Sequence, residues 1–93
     1  MTDIQTLHIL NKSPEHPRAN RCLEMMAAGD GVLLTGSGVL LLATGKLPDA
    51  SKVFALTQDV QARGLGHLAG NVSSVDFTEM VTLTLEAQQV ISW

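Results

Sequence analysis

Cysteine and aromatic residues are scarce in this chain of 93 residues, which has one cysteine, Cys22, and only 3% aromatic residues. A single cysteine cannot form an internal disulfide, and it cannot supply a zinc site of the CxxC type. Charged residues make up 16% of the chain, against roughly a quarter in typical soluble domains, whereas 45% of the residues are hydrophobic. Part of this apolar surface is therefore expected to face another protein.

Basic residues are also few, because six Lys or Arg stand against nine Asp or Glu, for a net charge of −3. Without a basic stripe, direct contact with RNA or DNA is not expected. No apolar run approaches the roughly 20 residues that cross a bilayer. Residues 1–10 carry Asp3 and lack the basic start of a signal peptide. These features predict a cytoplasmic protein without a membrane segment.

Short apolar runs alternate with helical patterns, as in a parallel α/β protein. Strands are predicted at residues 6–10, 31–35, 52–56 and 74–77, with a turn at residues 48–51. Helices are predicted from Pro17 to Ala28, from Thr57 as N-cap to Arg63, and after a cap at Asp76 or Thr78 to about residue 87. Residues 90–93 form either an edge strand or a tail. The whole chain, residues 1–93, is predicted to be one domain with a doubly wound sheet.

One stretch allows two interpretations. Residues 39–44 form either the second arm of a β-hairpin around Gly36, Ser37 and Gly38, or a short helix that stops at Gly45. The residues alone do not decide between them. In either case an open sheet has edges to protect, and assembly with similar subunits is one way to cover them.

Three segments of the chain stand out by their order and spacing. They are residues 7–14 (LHILNKSP), residues 52–56 (KVFAL) followed by Asp59, Ala62, Arg63 and Gly64, and a closing segment with Asp76, Phe77, Thr78, Val81, Leu83, Thr84 and Trp93. Together these segments resemble the TusB/DsrH family. The likeness covers essentially the whole chain. The most distinctive part of the likeness is the KVFAL block, which is followed by Asp59 and by the sequence ARG at residues 62–64.

The resemblance implies a small flavodoxin-like (DsrE-like) three-layer α/β fold with a mostly parallel sheet flanked by helices. It also implies a non-autonomous subunit of a persulfide-transfer complex, a heterohexamer with TusC/DsrF-like and TusD/DsrE-like subunits. A TusE/DsrC-like acceptor would pass the sulfur on to the 2-thiolation of tRNA wobble uridine or, as the alternative, to sulfur oxidation. No cofactor is implied. The resemblance also favours a strand, a turn and a short helix at residues 39–44 over the hairpin, although Ser37 stands where the family's turn usually has an acidic residue.

Sulfur transfer requires a thiolate, and Cys22 is the only candidate in this chain. Cys22 falls in the N-terminal half of the first predicted helix, close to Arg18 and Arg21, and these features favour an ionised thiol. It also shares helical spacing with Ala19 and Met26, which places it on the core face, where a free cysteine behaves as a small hydrophobic residue. A sulfur-carrying thiol and a structural thiol therefore both remain open.

The other polar candidates are interpreted structurally. His8 is expected to be a hydrogen-bonded strand histidine rather than a base. His16 and His67 lie in predicted loops without a second ligand at metal spacing, so no metal site is expected. The Gly36–Gly38 turn is taken as a plain turn, because it lacks the third glycine and the lysine of phosphate-binding loops.

Two further features leave alternatives. Asp59 and Arg63 are spaced to form an ion pair on a helix surface, or they lie at a subunit contact. Trp93 is expected to dock against its own sheet or against a partner, since a large exposed indole is costly. A more remote functional alternative is a free-standing flavodoxin-like module that binds a ligand at the Gly36–Gly38 turn.

Overall fold

The computed structural model describes residues 4–47, 52–70 and 72–93 of the chain. The strands are β1 (Thr6–Leu10), β2 (Gly31–Leu34), β3 (Val53–Leu56), β4 (Ser73–Val75) and β5 (Gln89–Ser92). The helices are α1 (Pro17–Met25), α2 (Thr57–Ala62) and α3 (Phe77–Glu86), with 3-10 helices at Gly36–Ala43 and Gly66–Leu68. The turn predicted at residues 48–51 lies outside the described residues.

The strands form one parallel sheet in the order β4-β3-β2-β1-β5. This arrangement confirms the predicted α/β fold of the flavodoxin-like, three-layer kind. Strand β2 is central, and all four of its residues are buried, as its unbroken apolar sequence predicts for a strand covered on both faces. Residues 89–92 form an edge strand next to β1, not a tail.

The two faces of the sheet are covered unequally. On one face, α1, the longer 3-10 helix and α2 pack side chains such as Cys22, Val39 and Val60 onto the strands. On the opposite face α3 packs through Met80 and Leu83. Among the described residues a single helix covers the second face, and this face carries the smaller of the two apolar clusters.

Of the two residues that the sequence offers as the cap of helix α3, Asp76 is the one that the structure shows. The Asp76 side chain accepts a hydrogen bond from the backbone N–H of Glu79 at 2.8 Å, and the Glu79 carboxylate accepts from the backbone N–H of Asp76 at 2.9 Å, which together form a capping box. The predicted fourth strand is too long at its end, since this cap stops the strand at Val75 and makes Phe77 the first helical residue.

Two other predicted helix boundaries are wrong. Thr57 is the first residue of α2 rather than its cap, and Leu56 takes the cap position without a side-chain hydrogen bond. Helix α1 ends at Met25 instead of Ala28. The reason is that the backbone N–H of Ala27 donates to the Asp30 carboxylate at 3.0 Å, which turns the chain toward β2.

The stretch after β2 is a 3-10 helix from Gly36 to Ala43, so the hairpin interpretation is wrong. The expected strand, turn and short helix is confirmed, although the helix already begins inside the glycine turn. Gly38 lets this helix pack directly against the end of β1, because a Cβ atom at position 38 would clash with the carbonyl oxygen of Leu10. Only glycine permits this close approach to the end of β1.

Candidate functional site

Cys22, the candidate thiol, lies on the inner side of α1 and is completely buried. Its neighbours form the larger apolar cluster, which includes Leu10 and Val32. Burial disfavours the thiolate and raises the pKa of Cys22 to about 12. Arg18 and Arg21 lie on the exposed side of the same helix. In this arrangement the thiol is protonated at neutral pH and shielded from a donor persulfide.

His8 lies in β1, with both ring nitrogens hydrogen-bonded. Its Nε2 is 3.0 Å from Asp30 Oδ2, and the indole Nε1 of Trp93 donates to its Nδ1 at 3.0 Å. Because an indole N–H can only donate, Nδ1 is the acceptor and the ring proton sits on Nε2, facing the carboxylate. The predicted hydrogen-bonded strand histidine is confirmed, and neither nitrogen is left to act as a base.

Asp30 joins this cluster to the backbone. Its Oδ1 accepts from the N–H of Thr6 at 3.3 Å, and its Oδ2 accepts from the N–H of Ala27 at 3.0 Å as well as from His8. Burial acts to raise the pKa of Asp30, but these hydrogen bonds outweigh burial and leave the pKa below its ordinary value. Asp30 is therefore ionised at neutral pH. The only signal for Asp30 in the sequence is an acidic residue directly before an apolar, buried strand.

Trp93 completes the cluster from the far end of the chain. Its ring stacks on His8 with centroids 6.0 Å apart and planes at 29°. Its backbone N–H donates to the carbonyl oxygen of Ile9 at 2.9 Å, and its carbonyl oxygen accepts from Lys12 Nζ at 2.8 Å. Of the two predicted docking positions, the structure shows the one against the protein's own sheet.

The Gly36–Gly38 turn is held by the two residues that the sequence suggested as a surface ion pair. Asp59 Oδ2 accepts from the N–H of Gly36 at 2.7 Å, and an Arg63 guanidinium nitrogen is 3.4 Å from Ser37 Oγ. Among the described residues, Asp59 and Arg63 do not pair with each other. A carboxylate thus occupies the N–H group that a phosphate would use, which argues against a nucleotide site at this turn.

The remaining histidines lie apart from this cluster. His16 caps α1, because its Nδ1 accepts from the backbone N–H of Arg18 at 3.1 Å. His67 lies in the exposed 3-10 helix Gly66–Leu68. Within the described ranges, no three His, Cys, Asp or Glu side chains lie close enough together to hold a metal ion. Every helix in those ranges is too short or too polar to cross a lipid bilayer.

Helix α3 carries an apolar stripe that points away from the core. The stripe consists of Phe77, Val81 and Leu85, which are 55%, 52% and 79% exposed. Their spacing of four residues places them along one side of the helix, next to the side that buries Met80 and Leu83. Three large apolar side chains in a row are unusual on a free surface, and they indicate a contact with another protein.

These features define a small three-layer α/β subunit with a buried thiol and an uncovered apolar stripe. The family model described as "DsrH like protein" matches residues 12–90. The chain is 34% identical to Protein TusB of Escherichia coli O81 (strain ED1a) and 32% identical to Protein TusB of Pectobacterium parmentieri. Each alignment covers 94% of this chain and 99% of the relative.

The chain therefore belongs to the TusB/DsrH family, as the resemblance in the sequence predicted. Membership places it among the sulfur-relay subunits. The family model spans most of the chain and the TusB relatives match it almost end to end, so the assignment covers the whole fold and not a single motif.

Proposed function

We propose that this chain is the TusB-type subunit of a heterohexameric persulfide-transfer complex that acts in the 2-thiolation of tRNA wobble uridine. Its partners are a TusC/DsrF-like and a TusD/DsrE-like subunit, and a TusE/DsrC-like protein accepts the sulfur. The observation that carries the proposal is the stripe of Phe77, Val81 and Leu85, which is exposed in the lone chain. The similarity to TusB proteins favours tRNA thiolation over other sulfur pathways.

The proposed chemistry takes place on a partner. In persulfide transfer, a thiolate attacks the outer sulfur of a donor persulfide, the S–S bond breaks, and the donor leaves as a thiolate. The raised pKa and complete burial of Cys22 support a structural role for this thiol. The reacting thiolate then belongs to the TusD/DsrE-like subunit, as the family resemblance implies. The chain then contributes assembly and shape rather than a reacting group.

Co-expression with the two partner subunits tests the assembly. We expect a single complex whose native mass corresponds to two copies of each subunit, and in a strain that lacks this chain we expect 2-thiouridine to disappear from tRNA. Loss of sulfur oxidation with normal tRNA thiolation would instead favour a DsrH-type role, the second candidate, which rests on the DsrH-like family match. A stable lone monomer that never associates with such subunits would refute the proposal.

Replacing Cys22 by alanine tests the role of the thiol. We expect the purified complex to transfer sulfur at a rate within about twofold of wild type, because the reacting thiolate belongs to the partner. The small cavity should lower the free energy of unfolding by about 1 kcal/mol, as measured by denaturant titration of the chain. Mass spectrometry should find no persulfide on Cys22 in the wild-type complex.

Cys22→Ser serves as the matched variant. It preserves size but buries a hydroxyl group in an apolar cluster, so it should destabilise the chain more than alanine does. A complex that contains Cys22→Ala, assembles normally and fails to transfer sulfur would show that Cys22 is a sulfur carrier after all.

A further inference from the structure

A cavity of about 380 Å³ opens between the N-terminal half of α1 and Trp93, and its lining includes Pro17, Arg18 and Arg21. It lies at the carboxyl ends of two neighbouring strands, because β1 leads into α1 and Trp93 directly follows β5. In open parallel sheets, ligands bind outside the carboxyl ends of the strands.

The cavity concentrates positive charge in an otherwise acidic chain. Three of the six basic residues, Lys12, Arg18 and Arg21, lie at this end of the molecule. Glu15 and Glu24 are three positions from the two arginines in sequence, yet neither guanidinium forms an ion pair within the part of the chain that the structure describes. Two guanidinium groups without a carboxylate partner are suited to bind anionic oxygen atoms in a fixed, forked geometry.

The backbone at the start of α1 does not supply the anion site. Pro17 has no N–H group, and the N–H of Arg18 already donates to His16 Nδ1 at 3.1 Å. Recognition of an anion therefore falls to the two guanidinium groups.

The Trp93 wall of the cavity is held in place by buried groups. The indole N–H of Trp93 donates to His8 Nδ1 at 3.0 Å, and His8 Nε2 is hydrogen-bonded to the Asp30 carboxylate at 3.0 Å. Lys12 holds the carbonyl oxygen of Trp93. With its N–H group already bonded, the indole offers an apolar ring surface of fixed orientation, on which an apolar side chain can pack at little entropic cost.

We propose that this cavity binds an acidic segment of a partner protein, in which carboxylates pair with Arg18 and Arg21 while an adjacent apolar side chain packs on Trp93. The inference rests on the proposed function, which requires protein partners. A nucleic acid fits less well, because three basic residues on a chain of net charge −3 neutralise few phosphates. The net charge also means that an acidic partner is repelled elsewhere on the surface, so the contact is directed to this cavity.

Trp93 is the only tryptophan, so its fluorescence reports on the cavity directly. The probe is an end-blocked hexapeptide of alternating glutamate and leucine, titrated into the full chain. We expect a saturable change in emission that weakens as salt is added. The double variant Arg18→Gln/Arg21→Gln should bind the peptide at least about tenfold more weakly. Arg63→Gln, which removes an exposed guanidinium at the Gly36–Gly38 turn, is the matched control and should bind like wild type.

Three results would overturn the inference. They are no saturable change, equal binding of the counterpart peptide with glutamine in place of glutamate, or equally tight binding of inorganic phosphate or a mononucleotide. The native mass of the co-expressed complex separates this inference from the proposed function. A complex that assembles while the peptide fails to bind refutes only the acidic-segment site, whereas a chain that never assembles refutes the proposed function itself.

Discussion

The double substitution Val81→Glu/Leu85→Glu is expected to abolish assembly of the chain with its partner subunits while leaving its fold intact. Both side chains are more than half exposed in the lone chain, so the change removes little from the core. If they are buried in the complex, two carboxylates would have to be desolvated without partners. We expect the affinity for the partners to fall by at least about a hundredfold.

The measurement is co-purification and native mass of the three co-expressed subunits, together with far-UV circular dichroism of the variant chain. Thr82→Glu is the matched control, because it adds a carboxylate at an exposed position of the same helix, on the side that carries Glu79 and faces Ser74 rather than on the apolar stripe. Normal assembly of the Val81/Leu85 variant would exclude the stripe as the subunit contact. Equal loss of assembly in Thr82→Glu would show that any added charge on α3 has the same effect.

Local signals in the sequence were enough to predict most of the fold. Asp76 and Glu79 stand three residues apart, and the capping box that begins α3 depends on nothing outside this segment. The apolar sequence of β2 likewise predicts its central position. Such features are set by neighbouring residues, which a single sequence displays directly.

Contacts between distant residues account for the wrong hairpin interpretation and for the partners of Asp59 and Arg63. The hairpin alternative at residues 39–44 fails because Gly38 packs on the carbonyl of Leu10, nearly thirty residues earlier. The i, i+4 spacing of Asp59 and Arg63 is compatible with an ion pair or with a subunit contact, but in the folded chain Asp59 binds the backbone of Gly36 and Arg63 lies next to the hydroxyl of Ser37. Periodicity within a helix carries no information about such partners.

The cluster around His8 shows the same limit at the candidate site. Its two hydrogen-bond partners, Asp30 and Trp93, are 22 and 85 residues away in sequence. The sequence predicted that His8 is bonded and that Trp93 docks, but not that they bond to each other. Asp30 was missed, since its importance arises from three donors that only the folded chain brings together.

Replacing Asp30 by alanine is therefore expected to be the most destabilising change in the cluster. The substitution leaves the N–H groups of Thr6 and Ala27 and the Nε2–H of His8 without their acceptor. We expect the free energy of unfolding to fall by about 3 kcal/mol. This loss is a large share of the total free energy of unfolding of a typical domain, which is about 5 to 15 kcal/mol. Denaturant titration measures the loss, and a red shift of Trp93 emission should accompany it as His8 loses its orientation.

Asp76→Asn is the control at neutral pH, because asparagine caps a helix about as well as aspartate and the position is exposed. It should change the free energy of unfolding by less than about 0.5 kcal/mol. An Asp30→Ala chain as stable as this control would mean that water replaces the carboxylate at no cost, and that the cluster does not fix Trp93.

The lowered pKa of Asp30 also predicts how stability depends on pH. A carboxyl group whose pKa is lower in the folded than in the unfolded chain contributes stability that is complete above its ordinary pKa and is lost as the pH falls through the folded value. The free energy of unfolding of the wild-type chain should therefore decrease below about pH 4. Asp30→Asn keeps the shape of the side chain but cannot ionise, so its stability should fall less steeply over the same range. Equal slopes for the two chains would show that the ionised form of Asp30 is not what holds Thr6, His8 and Ala27 together.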